Sequence, residues 1–155
     1  MSAWMIRAAA ALVFAGLVWV LFRFAMGLRW EMISREAARR AQAASGRRVV
    51  AELPVRTGDF LLFVETDSGF EWGGAVLERS AIRGARVLLN GGVLDAFCRD
   101  GTLPDPTPPD EFEGKERWEV AVFLRDGSRA VIDCGGLREG VSREIAAKVF
   151  AAIRG

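Results

Sequence analysis

Between Arg7 and Arg23 the chain carries an uninterrupted apolar run, Ala8 to Phe22, and beyond Leu28 polar and apolar residues alternate as in an ordinary globular domain. The pattern divides the chain into an anchor at residues 1–28, a juxtamembrane helical stalk at 29–46 and a small β-rich domain at 47–155. Within the last of these, Val49, Ala51, Leu53 and Val55 alternate with Val50, Glu52 and Pro54, predicting an extended edge strand with a proline near its end. Phe60 to Thr66 reads as a second strand. The tetrad Thr66-Asp67-Ser68-Gly69 is a turn, and Phe70 to Leu77 reads as a third strand with Phe70 and Trp72 on one face. Ala81 to Leu89, Val93 to Cys98, Trp118 to Arg125 and Ala130 to Cys134 complete seven strands. Asn90-Gly91-Gly92 connects one hairpin. Asp126-Gly127 connects another as a two-residue type I′ turn, which requires positive φ at both positions. Ser142 is placed to cap a closing helix whose apolar face is Ile145, Ala146, Val149, Phe150 and Ile153. The fold class is α+β.

A membrane span needs about 20 apolar residues, at about 1.5 Å each, to cross a hydrocarbon layer of about 30 Å. Ala8 to Phe22 is too short by itself, and extension to Leu28 reaches that length only if Arg23 is tolerated near one end. Its head group has two fates: to snorkel toward lipid phosphates, awkwardly because helical side chains lean toward the amino terminus, or to meet an acidic group on another membrane subunit. A cleaved signal peptide competes with the anchor reading, but no clean small-x-small cleavage pair follows Phe22. Trp19 and Trp30 are candidate interface anchors. Arg29, Arg35, Arg39, Arg40, Arg47 and Arg48 follow the span and only Arg7 and the terminal amine precede it. The positive-inside rule then puts the amino terminus outside and the domain in the cytoplasm. Ala8, Ala11 and Ala15 offer a small-residue face for transmembrane packing.

The stalk carries a stripe, Trp30, Ile33, Ala37, Ala41 and Ala44, and the favourably ordered pairs Glu31 with Arg35 and Glu36 with Arg40. It reads either as a solvated prolongation of the anchor or as a surface against a partner helix or anionic lipid.

Composition narrows the function classes. The net charge of +1 gives no global drive toward nucleic acid, and no nucleic-acid motif is present. Arginine dominates the basic residues, with alanine and glycine abundant, a usage of GC-rich bacterial genomes that favours a bacterial inner membrane over a mitochondrial one. With no histidine and no tyrosine, the usual general base, zinc ligand and phenolic acid are missing. Cys98 and Cys134 read as core residues rather than nucleophiles, and two thiols do not close a metal site. No catalytic, metal or cofactor-binding residue is assigned. The glycine pairs Gly73-Gly74, Gly91-Gly92 and Gly135-Gly136 lack the following helix and lysine of a phosphate loop and read as bulges and turns.

The irregular stretch Asp100 to Gly114 holds four of the chain's five prolines, Pro104, Pro106, Pro108 and Pro109, and the acids Asp100, Asp105, Asp110, Glu111 and Glu113, with no basic residue. It is either a recognition loop for a basic surface, pre-stiffened by proline, or a tolerated insertion.

The element order, the two hairpin motifs and the helix from Ser142 to Ile153 together resemble the pleckstrin-homology-like fold, over Arg47 to Gly155. That resemblance implies a curved seven-stranded antiparallel barrel closed by the carboxy-terminal helix. It carries over no lipid-binding residues, because the basic first hairpin of that family is represented here by little more than Arg56. A different small α+β sheet packed on one helix is the alternative. The expected function is a non-enzymatic accessory or scaffolding subunit of an integral membrane protein complex. Its partner-facing residues are Arg23, Trp30, Ile33, Asp105, Asp110, Glu111 and Glu113. Two other classes stand beside it: a sensor of anionic lipid head groups, and a thiol-dependent enzyme.

Overall fold

A single helix, α1, runs without a break from Ala3 to Ala44 and dominates the first of two compact units, Met1–Ala41; the second is Gln42–Gly155. The structure is a computed structural model and describes residues 3–55, 60–106, 116–136 and 139–155. The helix stops where glycine first appears after the anchor. Gly46 takes φ +75°, the Arg47 amide donates to the Gln42 carbonyl at 3.1 Å, and the Gly46 amide donates to that of Ala43 at 3.1 Å. These are the two bonds of a Schellman stop, which relieves the last carbonyls of the helix.

Among the described residues the second unit holds eight strands and a closing helix. β1 (Arg48–Pro54), β2 (Phe60–Glu65), β3 (Gly69–Trp72) and β4 (Ala75–Glu78) form one antiparallel sheet in chain order. A 3-10 turn at Arg79–Ala81 leads into the second sheet. There β5 (Ile82–Leu89), β6 (Gly92–Cys98), β7 (Trp118–Leu124) and β8 (Arg129–Gly135) lie in the order β6-β5-β7-β8. Helix α2, Glu139–Arg154, packs on strands of both sheets, and β1 lies beside β8. One apolar core joins the three: Phe63, Phe70 and Leu77 from the first sheet, Ile82, Val120, Val122 and Ile132 from the second, and Ala146, Val149, Phe150 and Ile153 from α2. Phe63 stacks on Phe70 at 5.4 Å between ring centroids and meets Trp72 at 5.5 Å, so the face expected for Phe70 and Trp72 is the inner one.

Three local expectations are corrected. Residues 70–77 are two strands rather than one. Gly73 and Gly74, at φ +52° and +82°, turn the chain back so that Trp72 pairs with Ala75. Both positions need a left-handed backbone that a residue with a Cβ resists, so the glycine pair cuts the apolar run. The Asp126-Gly127 connection is not a two-residue I′ turn, since only Gly127 has positive φ, at +87°. The Gly127 amide donates to the Leu124 carbonyl at 3.2 Å and the Leu124 amide to the Ser128 carbonyl at 3.0 Å, which makes a three-residue loop closed by a glycine bulge. Asp126 instead accepts from the Ser128 hydroxyl and amide, at 2.6 and 2.8 Å, and these bonds hold its carboxyl below its ordinary pKa. Ser142 is not a cap. The helix begins upstream of it, and its side chain is buried within α2. By contrast the hairpin connection expected at Asn90-Gly91-Gly92 is present, with Asn90 and Gly91 at φ +50° and +81° as a type I′ turn requires.

Candidate interaction surface

Over residues 12–28, Arg23 excepted, helix α1 is apolar on all sides. Leu17, Val18, Trp19, Val20 and Leu21 occupy successive positions around it, and each keeps 48–60 % of its surface exposed. By length and composition the helix is able to cross a membrane, and the apolar window that qualifies it has no buried residue. Trp30 and Ile33 are exposed on its later half, at 64 % and 52 %. Arg29, Met32, Ile33, Glu36, Ala37 and Arg40 line an open groove along one side of that half. Ala15 is exposed on the same helix. Ala8 and Ala11 fall in α1 by backbone, but their side chains lie outside the described residues.

Arg23 does not point toward the carboxy-terminal end of the apolar run. Its guanidinium carbon lies 5.4 Å from the centroid of the Trp19 ring, one turn toward the amino terminus. The lean is the one that helical Cα–Cβ geometry imposes, and the contact is a cation–π pair.

Several arginines after the apolar run are engaged by carboxylates. Arg40 meets Glu36 at 3.2 Å, Arg47 meets Glu71 at 3.0 Å, and Arg48 and Arg79 share Glu65 at 3.2 and 2.6 Å. Arg79 also lies 4.9 Å above the Phe70 ring. The Glu36–Arg40 pair is the one its spacing predicts. The other partners come from strands distant in sequence.

The acidic proline segment is described only to Pro106; Asp110, Glu111 and Glu113 lie outside the described residues. Asp105 is exposed. The described half is strapped to the second sheet by basic residues of the same domain. Arg83 donates from Nε to the Asp100 carbonyl at 3.1 Å and from Nη2 to the Thr102 carbonyl at 2.7 Å. Arg86 donates to the Pro104 carbonyl, and Arg125 pairs with the Asp100 carboxylate at 2.7 Å. The carbonyls of Asp100, Thr102 and Pro104 face these arginines, with Gly101 at φ +74° between the first two. Gly84 makes room for the strap: a Cβ there would lie 2.4 Å from the Phe97 carbonyl oxygen and 3.0 Å from the Leu103 side chain. Sequence reading missed Arg83, Arg86 and Arg125. The signal available was a pair of arginines inside the otherwise apolar Ile82-Arg83-Gly84-Ala85-Arg86-Val87-Leu88-Leu89.

The two thiols part company. Cys134 is fully buried, and burial, reinforced by the charges of Asp133 and Glu119, pushes its pKa up to about 12. Cys98, expected in the core, is exposed at the end of the edge strand β6, where its thiol donates to the Asp100 carbonyl at 3.2 Å. The cause is register: Cys98 pairs with Gly84 on the outer face, whereas its neighbour Phe97 turns inward to an edge contact with Phe150 at 5.5 Å. Among the described residues no three His, Cys, Asp or Glu side chains gather as a metal site.

No family model, curated protein or solved structure matches the chain.

Proposed function

We propose that this chain is a single-pass, membrane-anchored accessory or scaffolding subunit of a larger membrane protein complex, acting by protein–protein contact rather than by catalysis. The observation that carries the reading is the apolar stretch of α1 over residues 12–28, whose Leu, Val, Phe and Trp side chains are exposed in every direction around the helix. A helix stretch hydrophobic all round is stable only when something apolar surrounds it, and the apolar window of α1 has no buried residue. The basic residues that follow the span orient it with the amino terminus outside a bacterial inner membrane and the domain in the cytoplasm. The domain is pleckstrin-homology-like in this reading. Support comes from an all-antiparallel array of strands followed by one closing helix that touches both sheets. A departure from consecutive strand order, β7 pairing with β5 rather than β6, narrows that likeness to element order and the closing helix. Pairing of Arg40, Arg47 and Arg48 with carboxylates leaves less free positive charge for anionic lipid than the sequence promises, which ranks lipid sensing second.

The test is to extract native membranes with alkaline carbonate and then with mild detergent, and to size the tagged full-length protein. The expected result is retention in the carbonate pellet and migration in a stoichiometric complex. A carbonate-soluble chain overturns the anchor, and a detergent-solubilised lone monomer overturns the subunit reading in favour of lipid sensing.

A further inference from the structure

Because α1 is unbroken, positions far apart in sequence can be placed around one axis at about 100° per residue. Trp19, Arg23, Met26, Trp30, Ile33 and Ala37 follow one another at steps of four, three, four, three and four. They fall within about 80° of the helix circumference and extend along about 27 Å of it. The arginine in the apolar run, the interfacial tryptophan and the stalk stripe, which look like separate features in the sequence, are one seam. Its mean spacing, eighteen residues in five steps, is 3.6 residues, the pitch of the α-helix itself, so the seam runs straight along one face.

The geometry points to a transmembrane helix of a different protein as the occupant of this seam, carrying an Asp or Glu carboxylate at the depth of Arg23. This rests on the reading that α1 spans a membrane. Charge selects the occupant. A second copy, anchored in the same orientation, would set Arg23 against Arg23 in the hydrocarbon layer, and the chain has no acidic residue from Met1 to Trp30 to offset them. Lipid phosphate on the nearer side, beyond Leu28, lies in the direction opposite to the lean of Arg23 onto Trp19. Trp19 takes one face of the guanidinium and leaves the in-plane N–H donors unanswered by it. A carboxylate accepts two such donors side by side. The partner's acid therefore sits about 7–8 Å inside the boundary, the rise of the five residues from Arg23 to Leu28.

The test reconstitutes the full chain with Cys98→Ser, which removes the exposed native thiol, and with Met26→Cys on the seam or Leu21→Cys on the opposite side, in phosphatidylcholine vesicles at neutral pH. Each vesicle also holds a synthetic Leu/Ala transmembrane peptide with one cysteine at the facing layer and a single Glu, or Gln, at the depth of Arg23. Disulfide cross-linking at Met26→Cys is expected to be about tenfold greater with the Glu peptide than with the Gln peptide. It is expected to be weak at Leu21→Cys. Adding Arg23→Leu is expected to erase the Glu preference and to raise self-cross-linking of the chain. Equal cross-linking by the two peptides overturns the proposal, as does self-cross-linking of the Arg23-containing chain that matches or exceeds its capture of the Glu peptide. Failure of the chain to stay with carbonate-washed vesicles overturns the membrane reading instead, and is scored separately before cross-linking.

Discussion

Helices α1 and α2 are built from similar residues and distribute them in opposite ways. In α2 the apolar positions Ala146, Val149, Phe150 and Ile153 gather on one side and are buried, while Arg143, Glu144 and Lys148 face water. In α1, Phe14, Phe22 and Phe24 keep 62–69 % of their surface exposed, and Leu, Val and Trp fill the remaining directions. A stripe is satisfied by a sheet surface on one side. A full circumference needs an apolar medium or a surrounding set of helices. The contrast teaches that the arrangement of apolar residues around a helix, more than their number, decides whether its partner is inside the chain or outside it.

The sharpest way to break that contrast is to put a charge on each helix. Val149→Asp buries an unpaired carboxylate in the core and is expected to remove about 4–5 kcal/mol or more of domain stability, read by urea denaturation of the full chain in detergent, while membrane retention of folded protein is unchanged. Leu21→Asp is expected to do the reverse, costing about 3–4 kcal/mol of insertion and leaving the denaturation midpoint of the domain in place. If both substitutions weaken the same property, the two helices do not differ as described.

Truncation sharpens it further. Phe150→Ala removes the ring that meets Phe97 and is expected to cost about 3–4 kcal/mol by the same denaturation, whereas Phe22→Ala is expected to shift it by less than about 0.5 kcal/mol.

A pH titration probes the core to which α2 belongs. The Cys134 thiol is neutral in the folded protein up to about pH 12 but ionises near its ordinary value of 9.0 when unfolded. The unfolded state therefore binds fewer protons between these values, and stability falls as pH rises through that window, by at most about 1.4 kcal/mol per pH unit from this group. Below pH 9 its contribution is fully present. Cys134→Ser is expected to flatten that alkaline slope in denaturation curves taken from pH 8 to 11. Iodoacetamide is expected to modify Cys98 alone in the folded chain and both thiols in denaturant, counted by mass.

Smaller effects belong to the helix ends and surfaces. Arg99 donates from Nη2 to the Ile153 carbonyl at 3.0 Å, answering one of the last carbonyls of α2, and Arg99→Ala is expected to cost about 1 kcal/mol of domain stability. On α1, Arg40→Ala loses an exposed i,i+4 pair with Glu36 and is expected to reduce helicity by the equivalent of about 0.3–0.5 kcal/mol, seen by circular dichroism in detergent.

What the sequence determined by itself is what depends on neighbours a few residues apart. The apolar run of α1, its end at Gly46, the stripe of α2, the Asn90-Gly91 hairpin and most strand limits follow from periodicity and from backbone preferences that act locally. Gly73 and Gly74 belong to this class too, for they were legible as a turn, although not as one that divides a strand. Tertiary structure alone decided which strands became neighbours, with β7 passing over β6 to pair with β5, because strand partners are chosen by burial of side chains far apart in the chain. The same long-range register sent Cys98 outward and Cys134 inward. It also brought Arg83, Arg86 and Arg125 onto a loop whose own composition pointed to a basic partner without naming one. A loop's acidic and carbonyl groups show what it needs, and only the folded sheet shows which of the chain's arginines are within hydrogen-bond reach to supply it.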